Sequence, residues 1–318
     1  MVKVLVNYPI PADLGERLWA RAGTKVHLAF AKDEEEAKRE IGDAEILFGQ
    51  MTPELLPLAR KLRWVQTPFA SQERHLFPEF IESDILLTNA AGIFNDEISD
   101  HVYALILGLT RDIPRFVRNQ AQRHWASYAE FATECLAGKT LGIVGLGGIG
   151  GEVARRAPSF RIRVIATRAH PDRPKPDYVE EIWGPDGLSR LLAESDFVVI
   201  CAPETPRTQK MIGRQELTMM KPTAYIINVG RGAIIDQAAL TWALQNEVIA
   251  GAGLDVFEIE PLPTDHPLWG MDNVLITPHM AASTNIYPAR RVEVFLDNLS
   301  RYLEGKPLKN IVDKVDWH

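Results

Sequence analysis

The chain has 318 residues, a length that fits roughly two domains. Hydrophobic residues make up 46% and charged residues 24%, a balance that excludes a disordered or fibrous chain. Thirty-five Lys and Arg against 42 Asp and Glu leave a net charge of −7 with no basic block, so no nucleic-acid partner is expected.

Val2–Val6 reads as a short strand, followed by helical spacing from Asp13 to Ala22. Lys25–Phe30, Glu45–Gly49, Leu62–Gln66 and Ile85–Thr88 read as further strands, with a charged helix over Asp33–Ile41 between the first two of these. The acidic run 33–36 suits a solvated first helical turn, where the dipole favours negative charge. Strands alternating with helices predict a parallel sheet covered on both faces. A long helix with Ile98, Val102, Leu105, Ile106 and Leu109 at 3–4 spacing starts near Asp96 and ends before Pro114. Arg115 to Gly138, with Trp125, Tyr128 and Phe131, fits neither pattern and reads as an arm or a surface loop.

From Thr140 the alternation resumes. The strands predicted there are Leu141–Val144, Arg163–Thr167, Phe197–Cys201, Ala224–Val229, Ala250–Leu254 and Val274–Ile276. After Pro288, Ala289–Glu304 has the apolar stripe of an amphipathic helix that can return to the first block. The two cysteines, Cys135 and Cys201, form no CxxC pair, so neither a disulfide framework nor a metal site is expected. The first apolar run, broken by Asn7 and Pro9, is too short for a signal peptide. No apolar stretch approaches the roughly 20 residues of a membrane span, and a cytoplasmic location is expected. The sequon Asn298-Leu299-Ser300 carries no weight without a secretion signal.

The sharpest local signal is Gly145-Leu-Gly147-Gly148-Ile149-Gly150, preceded by an apolar strand and followed by helical spacing at Val153, Ala154 and Ala157. That context is what a dinucleotide-binding turn requires. Gly145 permits the tight turn, Gly147 lets a pyrophosphate approach the backbone, and Gly150 lets helix and strand pack closely. The helix N-terminus then faces the phosphates. An Asp or Glu about 20 residues on would bind a ribose 2′-hydroxyl. Instead Thr167 is followed by Arg168, 18 residues after Gly150, with Arg173 and Lys175 nearby. Arg168 is suited to a 2′-phosphate, which favours NADP(H), with NAD(H) as the other possibility.

Three later strands end in chemistry. Asn228-Val229-Gly230-Arg231-Gly232 puts an Arg between glycines, Asp255 to Pro263 holds Glu260 before Pro261, and Thr277-Pro278-His279 presents a His among small residues. The other histidines, at 27, 75, 101, 124, 170, 266 and 318, have no comparable context. In a parallel sheet all three stretches lie on the cofactor edge. Arg231 can grip a carboxylate and polarise a carbonyl, His279 can move a hydroxyl proton, and Glu260 can orient His279.

These stretches together resemble the D-isomer-specific 2-hydroxyacid dehydrogenase family, with reductases of glyoxylate and hydroxypyruvate as the likeness within it. The resemblance spans nearly the whole chain and rests on 145–150, 203–212 (PETPRTQKMI), 227–232 (INVGRG), 253–263 (GLDVFEIEPLP), 267–269 (PLW) and 277–282 (TPHMAA). It implies two doubly wound α/β domains. A Rossmann coenzyme domain, 96–288, is inserted into a flavodoxin-like substrate domain made of 1–95 and 289–318. It implies a catalytic set of Arg231, Glu260 and His279. It places Gly148, Ile149, Ala202, Pro203, Thr208, Val229, Asp255 and Ala281 along the cofactor beside the glycines, Thr167 and Arg168. It also implies a homodimer, with 115–138 as the dimer arm.

The chain departs from the family pattern in places. Ala70-Ser71 stands where an Ala-Gly pair commonly meets the substrate carboxylate, and the preceding Phe69 narrows the pocket. Arg168 replaces the usual Asp, and Pro158 interrupts the helix after the glycine turn, which is expected to end early or kink. The resulting expectation is hydride transfer between NADP(H) and a small 2-oxo or D-2-hydroxy acid, glyoxylate or hydroxypyruvate first and a bulkier 2-oxo acid second. The alternative from another class is a catalytically silent dinucleotide-sensing protein of the same fold.

Overall fold

The computed structural model describes every residue except 71–74, 128–129, 132, 285 and 316–318. The chain forms two compact units, one made of Met1–Ile93 with Thr284–His318, the other of Phe94–Ser283.

In the first unit, β1 (Val2–Val6), β2 (Val26–Phe30), β3 (Ile46–Phe48), β4 (Trp64–Gln66) and β5 (Leu86–Thr88) form one sheet in the order β2-β1-β3-β4-β5. All pairings are parallel, and the order is that of a flavodoxin-like sheet. Its inner strands β3 and β4 are buried throughout because both faces are covered, while the edge strands β2 and β5 are partly exposed. Val4, Val6, Phe48 and Trp64 pack with Val292, Phe295, Leu296 and Leu299 of the helix Tyr287–Leu303. Leu5, Leu47, Val65 and Leu87 pack with Ile41 and Phe80 on the other face. The Phe295 ring stacks on Phe48 with centroids 4.3 Å apart. Asn298 of the sequon is fully buried and bonds Gln66 and Lys309.

In the second unit, β6 (Thr140–Val144), β7 (Arg163–Thr167), β8 (Glu181–Trp183), β9 (Phe197–Ile200), β10 (Tyr225–Asn228), β11 (Gly251–Leu254) and β12 (Val274–Ile276) form a seven-stranded sheet. The order is β12-β11-β10-β9-β6-β7-β8, again wholly parallel. The order in which strands are added reverses between β6 and β9, the Rossmann switch point where nucleotides bind. The helix Gly148–Arg156 follows β6 and gives way to a 3₁₀ turn at Ala157–Phe160, with Pro158 in it.

Two expectations need correction. The sequence reading contains no strand at Glu181–Trp183, because this strand is short, half-buried and pairs only with β7 after the proline-rich stretch 171–176. The Arg115–Gly138 segment is not wholly irregular: it overlaps a helix, Ile113–Ala121. Pro114 stands in the first turn, where a missing N–H costs nothing, so the proline starts this helix rather than merely ending the one before it. Tyr128 of that segment lies outside the described residues.

Candidate active site

The parallel register lines up the strand ends of the second unit. Thr167 pairs with Val144, Val144 with Ile200, Ile200 with Asn228, Asn228 with Leu254, and Leu254 with Ile276. Residues one to three positions beyond this row lie on one edge: Gly145, Arg168, Ala202, Arg231, Asp255 and His279. The sequence spreads them over more than 130 positions.

At the switch point, Gly145 has φ +98°, and a Cβ there would stand 2.6 Å from the Ala202 amide nitrogen. Only glycine tolerates both the backbone and the approach. A Cβ on Gly150 would lie 2.4 Å from the Gly145 carbonyl oxygen, so the helix packs tightly onto its turn. Gly147, the N-cap of the helix, directs its missing side chain into open space. Amides in the first turn, at Gly148, Ile149 and Gly150, have no acceptor within the helix. Open space in front of a helix N-terminus fits a pyrophosphate.

Arg168 follows β7 and donates its backbone N–H to Trp183. Its guanidinium turns onto the carbonyls of Pro171, Arg173 and Pro174 in its own loop. No acid occupies 167–169, and Arg173 and Lys175 stand in the same loop, exposed.

Arg231 is held from two sides. The Asn228 side chain donates to the Arg231 carbonyl at 3.0 Å and accepts from the Gly230 N–H at 3.1 Å. The guanidinium donates to the Gly230 carbonyl at 2.7 Å. A Cβ on Gly232 would sit 1.9 Å from the Phe257 carbonyl carbon, so this turn rests directly on the loop that carries Glu260. Glu260 accepts from the Phe257 N–H at 3.0 Å with one oxygen and meets His279 Nδ1 at 2.7 Å with the other. A carboxylate accepts only, so the proton of this pair lies on Nδ1, and Nε2 is left as the working nitrogen. His279 is half-exposed, Glu260 about one-third exposed, and the Glu260–Pro261 peptide is cis.

A family model for the NAD binding domain of D-isomer specific 2-hydroxyacid dehydrogenases matches residues 103–281. A glyoxylate reductase of Korarchaeum cryptofilum is 33% identical over 98% of this chain and 96% of its own. The chain is a D-isomer-specific 2-hydroxyacid dehydrogenase. A solved family member from Aeromonas salmonicida superimposes with a TM-score of 0.87 at 31% identity, covering 98% of this chain and 99% of that one. An NADPH-dependent glyoxylate/hydroxypyruvate reductase from Sinorhizobium meliloti, solved with NADP and sulfate, gives 0.86 at 25% identity with full coverage of both. The protein is therefore an enzyme that uses a nicotinamide dinucleotide, and the silent-sensor alternative is set aside.

In this dehydrogenase, Asp255 is buried and fully engaged with its own chain. Its carboxylate accepts from the Thr277 hydroxyl at 2.6 Å, the Met280 N–H at 2.8 Å and the Ala281 N–H at 2.9 Å. Its backbone carbonyl accepts from the His279 N–H at 2.8 Å. His101, which in sequence has no context to mark it, brings Nε2 to 2.8 Å from Thr277 Oγ1. Asn228, Thr277 and His101 are the supporting residues that sequence reasoning passes over. Only Asn228 carries a signal, its position three residues before Arg231. Thr208, also expected along the cofactor, closes a tight loop by donating to the Pro203 carbonyl at 2.7 Å. Val229 and Ala202 line the ends of their strands, both buried.

The first unit holds the remaining predicted residues. Ala70 follows β4, and its carbonyl accepts from the Asn89 side chain at 3.1 Å. Phe69 is tied to Ala90 through its carbonyl at 2.8 Å. Ser71 lies outside the described residues.

Proposed function

We propose that this enzyme reduces glyoxylate or hydroxypyruvate to the corresponding 2-hydroxy acid, with NADP(H) ahead of NAD(H). The observation that carries this reading is the Glu260–His279 pair at 2.7 Å, on the sheet edge that also holds Arg231 and the glycine turn. A carboxylate behind an imidazole at this distance fixes the ring's tautomer and aims Nε2 at a substrate oxygen.

In this reading the Gly145–Gly150 turn and the helix amides hold the pyrophosphate, and Arg168 swings from its loop carbonyls to a 2′-phosphate. When bound, the nicotinamide supplies the hydride. Arg231 grips the substrate carboxylate in two-point fashion and polarises the 2-oxo group. His279 Nε2 delivers the proton to the developing alkoxide, while Glu260 stabilises the cationic imidazole that gives it up. Residues 1–95 with 289–318 then serve as the substrate domain and 96–288 as the dinucleotide-binding domain. The enzyme works in the cytoplasm as a homodimer. The glyoxylate reductase and NADPH-dependent reductase that it resembles support the substrate and cofactor assignments.

The test follows nicotinamide absorbance with purified protein, glyoxylate and hydroxypyruvate, using NADPH and NADH in parallel. Oxidation of NADPH well ahead of NADH supports the reading. Equal rates remove the cofactor assignment, and activity only on bulkier 2-oxo acids removes the substrate assignment.

A further inference from the structure

We infer that His101, on the helix Asn95–Thr110, is a positioning residue for His279 that acts through Thr277 and Asp255. The inference rests on the acid/base role proposed for His279. His279 has φ +55°, a backbone conformation that residues with a side chain seldom adopt. Such a residue stays in place only if its surroundings hold it. Asp255 does most of that holding, since its carbonyl binds the His279 N–H and its carboxylate binds the N–H groups of Met280 and Ala281. Glu260 sets the ring itself, and the backbone that carries the ring is thus held at residues 279–281 by one buried residue, Asp255.

That side chain is fixed from outside the loop. Thr277 has a single hydroxyl proton, and a carboxylate can only accept, so Thr277 donates to Asp255 at 2.6 Å. Towards His101, 2.8 Å away, Thr277 Oγ1 then acts as acceptor, which assigns the proton to His101 Nε2. The same nitrogen lies 3.6 Å from Asp255 Oδ1. The donor chain therefore runs from His101 through Thr277 into the carboxylate that orders residues 279–281. His101 stands on a helix anchored by the buried Ile98, Val102 and Leu105, so its ring is a fixed post. Without it, Thr277 can turn its hydroxyl away and Asp255 loses one of its restraints. A shift of about 1 Å in a catalytic group can cost roughly 100-fold in rate.

The experiment compares His101→Leu, His101→Gln, Thr277→Val and the His101→Leu/Thr277→Val double variant in the full chain, with His279→Gln as control. Glyoxylate, hydroxypyruvate and NADPH are the probes. His101→Leu is expected to lower kcat at least tenfold while the NADPH dissociation constant stays within twofold. His101→Gln, whose amide can donate to Thr277, regains most of the rate. Thr277→Val matches His101→Leu, and the double variant is no slower than the slower single one, because both break one chain. The proton NMR signal of His279 Nδ1–H, held on Glu260, broadens in His101→Leu and returns in His101→Gln. A His101→Leu enzyme within twofold of the parent kcat overturns the inference. So do losses that multiply in the double variant, or a His101→Gln enzyme no better than His101→Leu. If His101→Leu does not fold, Thr277→Ser against Thr277→Val decides, since only serine keeps the hydroxyl. An inactive His279→Gln beside a normal His101→Leu removes the relay alone, whereas an active His279→Gln removes the reading of the site itself.

Discussion

Glu260 and His279 divide one task by the atoms they present. Glu260 occupies Nδ1, so the proton exchanged with substrate leaves and returns at Nε2. His279→Gln removes that proton while keeping much of the side chain's size. We expect kcat to fall roughly 10²–10⁴-fold, the range general acid–base groups supply, with NADPH affinity little changed. Steady-state rates and a fluorescence titration separate the two, and a variant that keeps full turnover takes His279 out of its role. Arg168 makes a different prediction. Its guanidinium rests on three loop carbonyls, contacts that a phosphate readily replaces. Arg168→Asp trades a phosphate donor for a ribose acceptor. The ratio of kcat/KM for NADPH over NADH should drop about ten- to a hundredfold, the worth of one charge-assisted bond. An unchanged ratio means the loop does not read the 2′ position.

At the scale of elements, the helix Gly148–Arg156 is tied to its neighbour by charge as well as by packing. Glu152 bonds Arg155 and Arg156, and Arg156 reaches Asp96 and Asp100 on the helix Asn95–Thr110. The Arg155 side chain first, with Arg156 behind it, pulls the Glu152 carboxyl down to about 2. A group with a lowered folded-state value adds stability above its unfolded value, near 4.5, and loses it as pH falls towards 2. Glu152→Gln should therefore unfold with a shallower pH dependence between about 5 and 2 in denaturant titrations. A slope equal to the parent's would show that the cluster adds nothing, as many exposed ion pairs do. Elements of this kind differ in how plainly the sequence declares them. The strands β6, β7 and β9 to β11 are legible because burial leaves apolar runs, and β12, though only half-buried, is legible because Val274–Ile276 is apolar throughout. Arg231, Glu260 and His279 are legible because each follows such a run within a few residues. The strand Glu181–Trp183 has only a half-buried, three-residue pattern to announce it. The helix Ile113–Ala121 is hidden by a proline that serves as its first turn. His101 is hidden for another reason: its partner Thr277 is 176 residues away, and only the folded sheet brings the two together.

At the scale of the molecule, the helix Ile113–Ala121 poses the remaining problem. None of its residues is buried, and Ile113, Phe116 and Val117 are exposed; Trp125, just beyond it, is 96% exposed. Four large apolar side chains within 13 residues form a patch that a soluble monomer rarely leaves uncovered. The helix is amphipathic, with Arg115, Arg118 and Asn119 among its polar residues; within its own unit the Phe116 ring meets Phe131, centroids 4.5 Å apart, while Ile113 and Val117 stay exposed. A second copy of the chain presenting the same patch about a twofold axis would cover both stripes at once. Placing glutamates at Phe116 and Val117 puts like charges opposite each other across such an axis and should turn a dimer into a 35.6-kDa monomer in sedimentation velocity. Because the site residues of the second unit lie on the sheet edge rather than on this helix, the monomer should still bind NADPH. A parent chain that sediments as a monomer at all concentrations rules the dimer out, and a double variant that stays dimeric moves the interface elsewhere.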